Sequence, residues 1–139
     1  MAKTRVRPYL ESIVLCDDVR HSGNTPGIPN GVYDLIHVRS TLQIPADATF
    51  PYRHPVLWLF LRLSGSAGVV SGRVALYRDG EAAPLWDHGI EGPIELWGFD
   101  KSAHHPTTLV DVEFPAAGVY WFRVRIGTHV VGEVRLLVE

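Results

Sequence analysis

Glycine and proline recur at such short intervals along this 139-residue chain that they leave no room for a long helix. Thirteen Gly and ten Pro divide it into runs of four to ten residues rich in Val, Leu, Ile, Tyr, Phe and Trp. Pro lacks a backbone donor and clashes with the preceding helical turn, and Gly in an element interior costs backbone entropy. Short β-branched and aromatic runs between such breakers are the pattern of strands in a sandwich or barrel. The reading places strands near 9–16, 32–39, 56–64, 69–78, 84–88, 94–100, 107–114, 118–127 and 130–138. It predicts an all-β chain, folded as a single-domain antiparallel two-sheet β-sandwich of about eight or nine strands over residues 1–139. Residues 1–8 are read as a flexible N-terminal arm.

The breakers also suggest the connections. Asp79-Gly80 suits the positive φ of a tight hairpin turn, and Gly127-Thr128-His129 reads as a three-residue hairpin connection. Gly65-Ser66-Ala67-Gly68 reads as another hairpin loop, Ser102–Pro106 as a turn of 3₁₀ helix, and Asp17-Asp18 as the end of the first strand. Residues 21–31 form a loop, and 40–55, with three Pro, form an ordered crossing over the surface.

Alternation within the strands separates core from surface. It assigns Leu59, Leu61, Val74, Leu76, Val110, Val112, Tyr120, Phe122, Val124, Val134 and Leu136 to the core. Two strands have large apolar residues on both faces. Opposite Leu57, Leu59, Leu61 and Leu63 stand Trp58 and Phe60, followed by Arg62; opposite Tyr120, Phe122 and Val124 stand Trp121, Arg123 and Arg125. With Arg73 and Tyr77 they make an expected outer face of aromatics among guanidinium groups. Three readings of that face remain open. The 40–55 crossing or the N-terminal arm covers it, with Arg stems lying over the rings; it is a subunit interface; or it is a ligand platform.

Composition excludes several functions. A formal net charge of −2 provides no strong field for nucleic acid or an anionic membrane. The bias to Arg, eleven against two Lys, reads as genome composition. The longest apolar stretch, Val56–Leu61, is far short of the ~20 residues of a membrane-spanning helix. No export signal is visible, so a cytoplasmic protein is expected. A single cysteine, Cys16, excludes an intramolecular disulfide and is read as a buried thiol. Seven His are scattered; the adjacent His104 and His105 point to opposite faces of a strand and do not share an ion. No Gly-x-Ser-x-Gly, phosphate loop or metal motif occurs. No catalytic residue, metal or cofactor is therefore expected. Trp86, Trp97 with Phe99, and the Trp58–Trp121 group are the candidate surfaces for a sugar ring.

Short pieces spread over most of the chain carry a likeness. They are Leu15-Cys16-Asp17-Asp18-Val19-Arg20, Gly31-Val32-Tyr33-Asp34, Leu59-Phe60-Leu61-Arg62-Leu63, and Phe114-Pro115-Ala116-Ala117-Gly118-Val119-Tyr120-Trp121-Phe122 before a final hairpin. Together the chain resembles an uncharacterised bacterial family of short β-sandwich proteins of unknown function. The resemblance implies the fold and carries over no site. The expectation is a non-enzymatic structural or protein-interaction module that forms a homodimer through Trp58, Phe60 and Trp121. The alternative is a module binding carbohydrate or another small ligand through surface Trp and Tyr.

Overall fold

The computed structural model describes residues 8–21 and 33–139. Of the expected N-terminal arm only Pro8 falls within them, and the expected 21–31 loop lies outside them beyond His21. The described residues form nine strands: β1 (Tyr9–His21), β2 (Tyr33–Val38), β3 (Thr41–Leu42), β4 (Tyr52–Val70), β5 (Gly72–Arg78), β6 (Trp86–Gly89), β7 (Ile94–Phe114), β8 (Gly118–Ile126) and β9 (His129–Val138). Sheet one has the order β2-β1-β4-β7 and sheet two the order β3-β9-β8-β5-β6. All pairs are antiparallel except β3 with β9.

The inner faces follow from period-two alternation. Leu57, Leu59, Leu61 and Leu63 of β4 are wholly buried, as are Leu76, Phe122 and Val124 of sheet two. Each large apolar side chain removed from water contributes ~1.5–3 kcal/mol, which selects this register over a one-residue slip. Two corners hold the sheets together. At the first, Ser71 alone separates β4 from β5, and the tips of Ile90, Ile94 and Ile126 converge on Gly72, where a Cβ would stand 2.9, 3.0 and 3.2 Å from them. At the second, residues 115–117 carry the chain from β7 to β8, and the buried Tyr120 reaches back to the backbone of Ala116.

Several expectations are corrected. Gly65–Gly68 is no hairpin loop: it belongs to β4, where the pairing with β7 shifts register on either side of Gly65. Ser102–Pro106 is no 3₁₀ turn but part of β7, whose backbone pairs with β4 through His104, His105 and Pro106. Asp17-Asp18 does not end β1, because β2 pairs with that strand as far as His21. The last hairpin turns on Gly127-Thr128 alone, with Gly127 at φ 59° and Ile126 paired with His129.

Nine of the eleven expected core residues are buried; Val134 is half-buried, and Val110 is 58% exposed. The cause of the last is Asp111, whose φ of 52° lies in the left-handed region. Thr107 and Leu109 point inward, Val110 and Asp111 are both exposed, and the inward series resumes at Val112 and Phe114. One left-handed residue shifts the phase of the strand.

Candidate functional site

The expected outer face divides between the two sides of the sandwich. Trp58, Phe60 and Arg62 lie on β4 in sheet one, whereas Arg73 and Tyr77 (β5) and Trp121, Arg123 and Arg125 (β8) lie in sheet two. Both sets point away from the core, so Trp58 and Trp121 cannot join in one surface. The single dimer face expected from Trp58, Phe60 and Trp121 is therefore not formed. Strand alternation shows which way a residue faces but carries no information on which sheet its strand joins.

In sheet two the expected members do meet. The register pairs Tyr77 with Trp121 and Arg73 with Arg125. The Arg123 guanidinium stands 4.3 Å from the centre of the Tyr77 ring, and Arg123 Nε also donates to Glu133 at 3.3 Å. Asp87 accepts from Arg73 Nε at 3.0 Å and from Arg125 Nη2 at 2.9 Å, and Trp121 Nε1 donates to Asp79 at 2.9 Å. The Tyr77 ring is thus partly covered by Arg123, and the arginines of the face find carboxylates alongside.

In sheet one, Phe60 is only 7% exposed although it faces outward. Tyr33 of β2 leans over it at 5.4 Å between ring centres, and His104 of β7 stacks on it at 5.6 Å. Residues 40–55 do not supply this cover; they place Leu42 in the core, with Ile44 and Phe50 against it. Arg62 Nε donates to Glu11 at 3.0 Å, and Ser102 donates to the same carboxylate at 2.6 Å. His104 Nδ1 is buried without a hydrogen-bond partner among the described residues; burial, and then the nearby Arg62, lower its pKa.

A polar cluster that the sequence did not indicate lies on β1 and at the end of β2, where Arg39 follows the strand. Asp17 accepts from Arg39 Nε at 2.9 Å and from Nη2 of the same guanidinium, with His37 Nδ1 at 3.1 Å. Hydrogen bonding to Arg39 holds the Asp17 carboxyl below the usual carboxylate range. Burial, with Asp17 adding to it, raises the pKa of the wholly buried Cys16 thiol beside it.

The open side of the sandwich lies between β6, the last strand of sheet two, and β7, the last strand of sheet one. A cleft of about 740 Å³ occupies it, within the range of small-molecule sites. β6 pairs Trp86 with Leu76 and His88 with Val74, so both rings share the inward face of sheet two. Their centres are 4.5 Å apart. The facing wall is the continuous stretch Thr107–Asp111 of β7, joined by Glu113 and by Arg53 of β4. Thr107 is 6% exposed, and no side-chain hydrogen bond joins it to another described residue. Glu91, at the corner between β6 and β7, lines the near end, with its backbone close to the ring of His105. His105 lies on the inward face beside Leu61 and His104 on the outward face beside Arg62, the opposition expected of adjacent strand residues.

Of this cleft only Trp86 stood out in the sequence. His88, Thr107 and the acidic residues carry no local signal, because the cleft exists only where the edges of two different sheets face each other. Trp97 and Phe99, the other candidate pair, are 36% and 56% exposed on β7, separated by Gly98. Among the described residues no group of three or more His, Cys, Asp or Glu could hold a metal ion. No helix among them is long and apolar enough to cross a membrane.

The family model of a family of unknown function, DUF6941, matches residues 11–139. The chain belongs to this family. The match takes in all nine strands except the first two residues of β1, so this family's model spans both walls of the cleft. No curated protein matches the chain.

Proposed function

We propose that the chain is a non-catalytic ligand-binding module whose site is the cleft between β6 and β7. The observation that carries this reading is the Trp86–His88 ring pair, set on an edge strand and facing inward beside an opening of about 740 Å³. Stacking surface on one wall and hydroxyl and carboxylate groups on the other are what a small polar ligand needs for orientation. The test is nuclear magnetic resonance titration of the labelled protein with a panel of sugars, amines and amino acids. Binding is expected to shift amides of residues 86–89 and 107–113 together, and Trp86→Ala to abolish the response. Shifts that never gather on these residues for any compound would refute the reading.

A second reading is favoured by a different observation. Val56 and Val110, paired across β4 and β7 beside Trp58, are 43% and 58% exposed on the outer face of sheet one. Contiguous exposed apolar surface suits a protein partner or a second copy of the chain. In this reading the homodimer forms through sheet one alone.

A further inference from the structure

We infer that the cleft between β6 and β7 selects a linear polyamine, a flexible apolar stem carrying amines protonated at neutral pH. The inference rests on the reading of that cleft as a binding site and adds the chemistry of its ligand.

Charge is the first argument. Glu91, Asp111 and Glu113 line the cleft, and among the described residues none of them makes a side-chain hydrogen bond or ion pair. Other carboxylates are paired: Asp17 with Arg39, Glu11 with Arg62, Asp87 with Arg73 and Arg125, and Glu133 with Arg123. Asp34, Asp47, Glu81, Glu95 and Asp100 have no ion pair among the described residues either. What distinguishes Glu91, Asp111 and Glu113 is that they gather around one concavity. Among the described residues Arg53 is the one arginine or lysine lining the cleft, and it stands opposite Glu113 in the β4–β7 register. Carboxylates left in excess around a concavity favour a cationic ligand.

Their spacing is the second argument. The Glu91 backbone lies close to the ring of His105, whereas Asp111 and Glu113 lie six and eight residues farther along β7. At ~3.3 Å per residue the backbones at His105, near Glu91, and at Asp111 stand roughly 20 Å apart, which sets the scale between the acidic ends. Between them stand the apolar Leu85 and Trp86 on one side and Leu109 on the other, with His88 and Thr108 also lining the cleft. A ligand with charged ends and a methylene stem matches that order. The floor adds Thr107, nine-tenths buried, lining the cleft and without a side-chain hydrogen bond among the described residues. Its hydroxyl can accept from an internal ammonium group, which a simple diamine lacks.

An extended basic peptide shares the charge but fits less well. Such a peptide binds a sheet edge by continuing its hydrogen-bond ladder. The left-handed Asp111 breaks the regular edge of β7 where the continuous wall Thr107–Asp111 ends, before Glu113. A polyamine stem needs no ladder.

Calorimetry and amide-shift titrations with spermine, putrescine, pentalysine and maltotriose test the proposal. Spermine is expected to bind with shifts on 86–89 and 107–113, more tightly than putrescine, and to weaken as salt is raised. Combined Glu91→Gln, Asp111→Asn and Glu113→Gln replacement is expected to weaken it about tenfold or more. Asn tolerates the left-handed φ at 111, so the backbone is kept; an unchanged amide spectrum away from the cleft verifies this. Maltotriose binding there without spermine would overturn the polyamine and leave the cleft reading standing. Pentalysine binding there more tightly than spermine would overturn it in favour of a peptide. Spermine affinity that survives the triple replacement would overturn it as well. No response at the cleft to any of the four would overturn both readings.

Discussion

The hydroxyl of Tyr120 donates to the carbonyl oxygen of Ala116 at 2.6 Å and accepts from the N–H of the same residue at 3.3 Å. One wholly buried side chain thus satisfies both backbone groups at the corner where the chain leaves sheet one for sheet two. Its ring packs edge-on against Phe114, with ring centres 5.0 Å apart. Tyr120→Phe keeps that packing and removes only the hydroxyl. It is expected to cost about 1–2 kcal/mol, since a lost buried hydrogen bond leaves its partners unsatisfied. Urea denaturation should show a lower midpoint with an unchanged slope. An unchanged midpoint would mean that the corner is held by packing alone.

The opposite corner is tested at Gly72. Three isoleucine tips from the β6–β7 corner, β7 and β8 stand within 2.9–3.2 Å of the position of its missing Cβ. Gly72→Ala requires all three to shift at once and is expected to destabilise by about 1–3 kcal/mol through overpacking. Combining it with Ile90→Val, which removes the methyl nearest that position, should recover part of the loss. Failure of that rescue in thermal unfolding would place the strain in the backbone instead.

Stability should fall on mild acidification. Burial lowers the pKa of His54, His104 and His105 below the ordinary 6.5. The folded state therefore binds fewer protons than the unfolded chain in the window just below pH 6.5, and the linkage sign is fixed. The contribution of these residues is present above pH 6.5 and is lost as pH falls through their lowered folded values. Asp17 acts in a separate, more acidic window. Its stabilisation is present above the ordinary 3.8 and is lost as pH falls toward its lower folded value. Urea midpoints should be higher at pH 7.5 than at pH 5. A flat profile between those values would contradict the burial of the imidazoles.

If sheet one associates with a second copy, the exposed Val56–Val110 pair must be buried in the contact. Light scattering at tens of micromolar should then report a dimer, and Val110→Lys should dissociate it without loss of β spectrum. A monomeric wild-type chain under those conditions would dismiss this contact.

The strands were largely legible because their signal is local. Alternation and breaker residues located all but the two-residue β3, and the same alternation found nine of the buried positions. The errors arose where geometry is not periodic. Asp111 turns left-handed within a regular-looking run and exposes Val110. Gly65–Gly68 resembles a turn but is a register shift between two strands that continue past it. The surface was less legible still. Trp58 and Trp121 have the same local pattern and lie on opposite sides of the protein, because sheet membership depends on pairings between residues far apart in the chain. Trp86 was visible as a candidate, but its setting was not, since the facing wall comes from β7 and the two strands share no hydrogen-bonded ladder.

The long pairing of β4 with β7 also implies an order of assembly. It joins Val70 to Ile94, 24 residues apart, at one end and Tyr52 to Phe114, 62 residues apart, at the other. Closing the larger loop costs about 1 kcal/mol more in chain entropy. Zippering is therefore favoured from the Val70–Ile94 end, and the end bearing Arg53 and Glu113 closes late. By the same reasoning that end is the first to fray in the folded protein, so amides around Tyr52 and Glu113 should exchange with solvent sooner than those around Leu61. The mouth of the cleft is then the part of the molecule that a ligand would stabilise most by closing over it.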